Sequence, residues 1–181
     1  MPNIRPLYDA YGVDGYYRDH AAAYENPHFP EIKTLLERNL HRMDTSRVLD
    51  FGCGSGEVTR VLQAAGIDDI TGCDPYTSAQ YIEQTGRACW QLSFRDVIKT
   101  GMPENFSTII SSFALHLCPV KDLFPLSWNL FQSAPLLVVL TPHKRPELEL
   151  LPGIEMAWED FTLTTRGKKV RCKAYRLANA L

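Results

Sequence analysis

No stretch of eighteen consecutive apolar residues occurs in the 181-residue chain, and its opening Met-Pro-Asn-Ile-Arg-Pro lacks the apolar core of a signal peptide. These absences argue against a membrane span and predict a soluble, cytoplasmic protein with no membrane partner. The five cysteines, Cys53, Cys73, Cys89, Cys118 and Cys172, are odd in number and contain no C-x-x-C pair. Neither a zinc site nor a disulfide framework is supported, so no metal is expected and the thiols read as reduced core residues. Charge of one sign is also lacking: the net charge is −2 at pH 7, and bulk electrostatics nominate neither nucleic acid nor an anionic surface. With 45% hydrophobic residues, the chain is expected to form one domain over residues 1–181.

What is present centres on Val48-Leu49-Asp50-Phe51-Gly52-Cys53-Gly54-Ser55-Gly56-Glu57-Val58. A short apolar run ends in an acid, breaks into three alternating glycines and resumes with helical spacing at Val58, Val61 and Leu62, which predicts strand, tight turn and helix. Such a turn lets a ligand press against the main chain. The spacing is G-x-G-x-G rather than the dinucleotide pattern, and no Lys-Ser or Lys-Thr follows the glycines as in a P-loop. Glu57 would repel a pyrophosphate at this helix start, so the ligand should lack a phosphate at this point. Asp74 ends a second half-apolar run, Asp69-Ile70-Thr71-Gly72-Cys73, about where Rossmann-like sheets place an acid on the ribose hydroxyls.

The motif Asp50-Phe51-Gly52-Cys53-Gly54-Ser55-Gly56 resembles the first motif of the class I S-adenosylmethionine-dependent methyltransferases. The resemblance runs in order through Asp74-Pro75, then Trp90-Gln91-Leu92-Ser93-Phe94-Arg95-Asp96-Val97, then Ser111-Ser112-Phe113-Ala114-Leu115-His116. It implies S-adenosyl-L-methionine as cofactor, contacted by Asp50, Phe51, Gly52, Cys53, Gly54, Asp74, Pro75 and Phe113. It also implies that Asp96 accepts from the adenine amino group while Val97 lies on the ring; the competing reading makes Asp96 a helix cap. The implied fold is α/β and Rossmann-like, a mostly parallel sheet with helices on both faces, ending in an antiparallel hairpin.

The rest of the chain fits that outline. Strand-like runs near 69–73, 88–93, 108–113 and 135–141 alternate with helical stretches near 77–84 and 120–132, and Gly66 is placed to end the first helix after the glycines. Pro125 should start or kink its helix. The continuous run 135–140 predicts a strand covered on both faces, at or beside the middle of the sheet. Residues 158–165 and 169–177 read as a hairpin around Arg166-Gly167-Lys168. Residues 1–45 are expected to act as a cap over a core at 46–181, with an amphipathic helix at 30–43.

Methyl transfer discharges a sulfonium, so aromatic rings near it are useful; Tyr17 and Tyr24 are the candidates. His116 and His143 follow the fourth and fifth strands and are candidate bases, with His20 a weaker third. Lys144 and Arg145 could hold an anionic group of the substrate. The Asn/Asp-Pro-Pro-aromatic tetrad of amino-group methylases and a Pro-Cys nucleophile are both missing. The expected function is methylation of oxygen or nitrogen on a small-molecule acceptor. Two alternatives stay open: an RNA or protein methyltransferase using the bases Arg166, Lys168, Lys169, Arg171, Lys173 and Arg176, and a cofactor-binding partner protein without catalysis. Nothing in the sequence sets an oligomeric state.

Overall fold

Short, continuous apolar runs become strands that are buried along nearly their whole length. The structure, a computed structural model, describes residues 26–178. In chain order the elements are α1 (Phe29–Asn39), β1 (Val48–Phe51), α2 (Glu57–Ala64), β2 (Ile70–Cys73), α3 (Ser78–Thr85), β3 (Cys89–Trp90), α4 (Phe94–Thr100), β4 (Thr108–Ser112), α5 (Val120–Ser133), β5 (Leu136–Thr141), β6 (Ile154–Leu163) and β7 (Lys169–Leu177). The described residues build a seven-stranded sheet in the order β3-β2-β1-β4-β5-β7-β6. β3, β2, β1, β4 and β5 run parallel, while β7 pairs antiparallel with both β5 and β6.

Alternation along the strands sends side chains to two cores. Leu49, Phe51, Ile109, Leu137, Val139 and Tyr175 face α4 and α5 through Val97, Leu126 and Leu130. Val48, Ile70, Ile110, Val138, Leu140, Val170 and Cys172 face α1 and α2 through Ile32, Leu35, Leu36, Val61 and Leu62. α1, the first helix of the described residues, which the sequence groups with the cap, is therefore a layer of the main core. It is also tied to the edge strand: Arg38 donates from Nε and Nη2 to both Asp160 carboxylate oxygens at 2.7 and 2.8 Å, and Asn39 donates to the same group at 2.8 Å.

Local chemistry sets the helix ends. α2 closes in a Schellman arrangement, with Gly66 N–H donating to Gln63 O and Ile67 N–H to Leu62 O, each at 3.0 Å, as Gly66 predicts. Pro125 lies inside α5 rather than at its start. The third strand is shorter than its apolar run: β3 stops at Trp90 because Ser93 caps α4 in a capping box with Asp96. Among the described residues no helix is long and apolar enough to cross a membrane.

The parallel strands β1 and β4 lie side by side but lead away in opposite directions, so their carboxyl ends form the switch point where open α/β sheets bind ligands. Packing beneath that point is tight at Gly72 in β2, where an added Cβ would come within 2.6 Å of the fully buried Tyr81 ring. Gly72→Ala is expected to lower unfolding free energy by about 1–3 kcal/mol, read from denaturant midpoints. Adding Tyr81→Leu to that variant should cost less than it does in the wild-type background, because the ring that clashes is gone.

Candidate active site

The Gly-rich turn is pinned to the neighbouring strand. Gly52 N–H and Cys53 N–H both donate to Cys73 O, at 2.7 and 3.2 Å. Gly52 has φ +70°, and a Cβ there would stand 2.4 Å from the Ala114 Cβ, so the turn closes against the segment after β4 only as glycine. Asp74 ties the other side: its Oδ2 accepts from Gly54 N–H at 3.3 Å, and its Oδ1 accepts from Tyr76 N–H and Thr77 N–H at 2.9 and 3.0 Å.

Over this turn opens a cavity of about 520 Å³, within the usual size range of small-ligand sites. Asp50, Gly52, Cys53, Gly54, Asp74, Pro75 and Phe113 line it, so the structure brings together seven of the residues picked from sequence. Phe51 does not join them. It is buried in the core beside Phe94, with ring centroids 5.8 Å apart, because the pleat turns it to the opposite face from Asp50.

Asp96 and Val97 also stand outside the cavity, a correction to the sequence reading. Asp96 Oδ2 accepts from Ser93 N–H at 2.8 Å and from Ser93 Oγ at 2.6 Å, which holds its carboxyl below the usual range. Val97 is fully buried in the core. The early start of α4 puts Ser93, Phe94 and Arg95 on the wall in their place.

Asp50 is 1% exposed and accepts from Thr59 N–H and Oγ at 3.2 and 2.8 Å. Burial pushes its carboxyl up to about 8, against those hydrogen bonds; the nearby Glu57 and Asp74 charges push the same way as burial. Glu57 lines the cavity too, where its Oε1 accepts from Ser55 Oγ at 2.7 Å and Asn26 N–H at 2.9 Å. Three carboxyl groups thus face one end of the cavity. Phe113 stands at φ +56° and stacks on His28 with centroids 5.1 Å apart.

The two candidate bases lie elsewhere. The rings of His116 and His143 are 4.8 Å apart, and neither lines the cavity. Burial, and then His143, hold His116 down to about 4, and its Nδ1 is buried without a hydrogen bond. Lys144 pairs with Glu147 at 3.4 Å, and neither it nor Arg145 reaches the cavity. Tyr17, Tyr24 and His20 lie outside the described residues.

The basic hairpin differs from the stripe its sequence implies, because β7 is an interior strand. Lys173 is 4% exposed, 3.6 Å from Glu149, and donates to Lys144 O at 3.3 Å. Arg171 lies 3.8 Å from Glu159, Arg176 bonds Glu155 at 2.6 Å, and Lys169 sits over the Phe161 ring. The wall residues that sequence reasoning missed include Asn26, Arg95, Leu117 and Asp122. No local pattern marks them, since each reaches the cavity only through the fold. Among the described residues no group of three or more His, Cys, Asp or Glu is arranged to hold a metal.

A family model described as a methyltransferase domain matches residues 9–124. An uncharacterized protein of Schizosaccharomyces pombe is 29% identical over 86% of this chain and 80% of its own length. Two solved structures share the fold. Magnesium protoporphyrin IX methyltransferase from Synechocystis PCC 6803, with bound SAM, superposes at TM-score 0.67 with 14% identity, covering 98% of each chain. The N-methyltransferase NodS from Bradyrhizobium japonicum, in complex with S-adenosyl-L-homocysteine, does so at 0.71 with 15% identity, covering 91% of this chain and 98% of its own.

Asp50 gives a pH signature. Its proton stays on in the folded state up to about pH 8, whereas an unfolded aspartate releases it near about 4. Between those limits the native state holds a proton that the unfolded state has lost, so stability from this group falls as pH rises and levels off above the upper limit. Asp50→Asn should therefore show a flatter dependence of denaturant midpoint on pH from 5 to 8 than the wild type.

Proposed function

The chain belongs to the methyltransferase-domain family, and we propose that it transfers the methyl group of S-adenosylmethionine to oxygen or nitrogen of a small-molecule acceptor. The observation that carries this is the cavity at the β1/β4 switch point, lined at one end by the carboxyl groups of Glu57 and Asp74 beside the protonated Asp50, with Arg95 the one basic side chain among the described residues of its wall. That electrostatic bias suits a ligand with cationic groups and is hostile to a pyrophosphate. When bound, the cofactor supplies a methyl group on a positively charged sulfur.

The chain's own part is to bind, align and exclude water. Asp74 has lone pairs beyond its three backbone bonds with which to accept from a ribose diol. Phe94, Leu117 and Pro119 offer apolar surface to a ring, and the Gly52–Gly54 main chain allows close approach. Glu57 joins the turn to Asn26, which lines the cavity. Phe113 and Ala114 border the acceptor side of this arrangement. With His116 and His143 off the wall, transfer rests on alignment rather than on either of these histidines.

The small-molecule reading is supported by the hairpin, where Arg171, Lys173 and Arg176 are engaged by Glu159, Glu149 and Glu155, and by the neighbours named for a porphyrin and for N-methylation. Titration calorimetry tests the cofactor: the protein should bind S-adenosylmethionine and not NAD, and Asp74→Ala should weaken binding by about thirtyfold, the loss of about 2 kcal/mol expected for charge-assisted hydrogen bonds. Absence of S-adenosylmethionine binding overturns the reading. With a methyl-labelled cofactor and cell extract, label should enter the low-molecular-weight fraction; label in RNA would favour the nucleic-acid alternative.

A further inference from the structure

Two thiols meet beside the cavity, one of them on its wall. Cys53 Sγ and Cys89 Sγ stand 3.6 Å apart. Cys53 lies in the Gly-rich turn and lines the cavity, although only 4% exposed; Cys89 opens β3, is half-buried, and also lies 3.8 Å from Trp90 O. Cys73 is nearby but turned away, with its S–H directed at Leu92 O at 3.7 Å and burial pushing its thiol up to about 12.

We infer that Cys53 and Cys89 form a modification site, a dithiol that a peroxide-class oxidant converts to a disulfide, and that this cross-link weakens binding of S-adenosylmethionine in the cavity. The second half rests on the function proposed above. The chemistry balances in two steps. The more exposed Cys89 thiol gives up two electrons to hydrogen peroxide, forming a sulfenic acid and one water. The Cys53 sulfur then forms the S–S bond and displaces a second water; together the thiols lose two electrons and two protons, and the peroxide becomes two waters. Burial raises the Cys53 thiol well above its ordinary value, so the more exposed Cys89 reacts first with the peroxide, and Cys53 gives up its proton only as its sulfur closes on the sulfenic acid beside it.

The consequence for binding follows from distances. A disulfide needs an S–S separation of about 2.05 Å, so the 3.6 Å gap must close. Cys53 N–H is bonded to Cys73 O at 3.2 Å, and the next residue, Gly54, donates to Asp74 Oδ2 at 3.3 Å. Drawing Cys53 toward β3 works against both bonds and shifts the turn that floors the cavity. By reciprocity, a bound ligand disfavours the cross-link at equilibrium, and a ligand over Cys53 also shields its sulfur.

Trypsin separates the three neighbouring thiols: Cys53, Cys73 and Cys89 fall on peptides 48–60, 61–87 and 88–95. After hydrogen peroxide treatment and alkylation, mass spectrometry should find 48–60 linked to 88–95, and less of it when S-adenosylmethionine is present. Calorimetry should show binding at least tenfold weaker in the oxidised protein, recovered with dithiothreitol, while Cys89→Ser binds like the reduced wild type before and after peroxide. Peptide 88–95 oxidised without linkage to 48–60 overturns the inference, as does a full cross-link with unchanged affinity. If reduced wild-type protein fails to bind S-adenosylmethionine, the proposed function fails instead, and peptide linkage still decides whether the dithiol forms its bond.

Discussion

The buried carboxyl of Asp50 holds the end of β1 to the first turn of α2 through two bonds from Thr59, and everything at the cavity depends on that tie. Thr59 Oγ gives its only hydrogen to Asp50, so the Tyr81 hydroxyl 2.8 Å away must donate to Thr59 in turn. A polar chain thus joins β1, α2 and α3, and the Tyr81 ring packs under Gly72 to bring in β2. A buried network of this kind is stable only when its members are satisfied. It holds the strand ends, the Gly-rich turn and Asp74 in one rigid corner.

Electrostatics at the opening follow from that corner. Asp50, Glu57 and Asp74 converge there because the Gly-rich turn brings the end of β1, the start of α2 and the end of β2 to one wall. Burial, and to a smaller degree the Glu57 and Asp74 charges, raise the cost of ionising Asp50, a cost that a cationic ligand offsets. Toward the other edge of the sheet β7 is packed between β5 and β6, and three of its bases, Arg171, Lys173 and Arg176, are matched with Glu159, Glu149 and Glu155. Charges that look alike in sequence thus have different uses according to whether the strand carrying them is interior.

Particular residues show where sequence reading succeeded. Gly66 was legible as a helix end because its signal is confined to one turn and its partners are Leu62 and Gln63. The parallel strands were legible because burial on both faces leaves unbroken apolar runs. Asp96 was misplaced for a related reason: the apolar run through Phe94 hides the Ser93 capping box, and a local side-chain bond ended the strand before periodicity did. Phe51 was grouped with its motif, but a period of two turns it into the core.

Sequence by itself determined the order of elements, the Gly-rich turn, the carboxylate at the end of β2 and the antiparallel hairpin, since each is written in contacts between residues close along the chain. Only the tertiary structure decided that β7 lies inside the sheet, that His116 and His143 meet away from the cavity, and that Cys53 reaches Cys89. Those outcomes depend on strand order and crossover packing, in which residues dozens of positions apart are brought within a few ångströms, and no local pattern of apolar and polar residues encodes such distances.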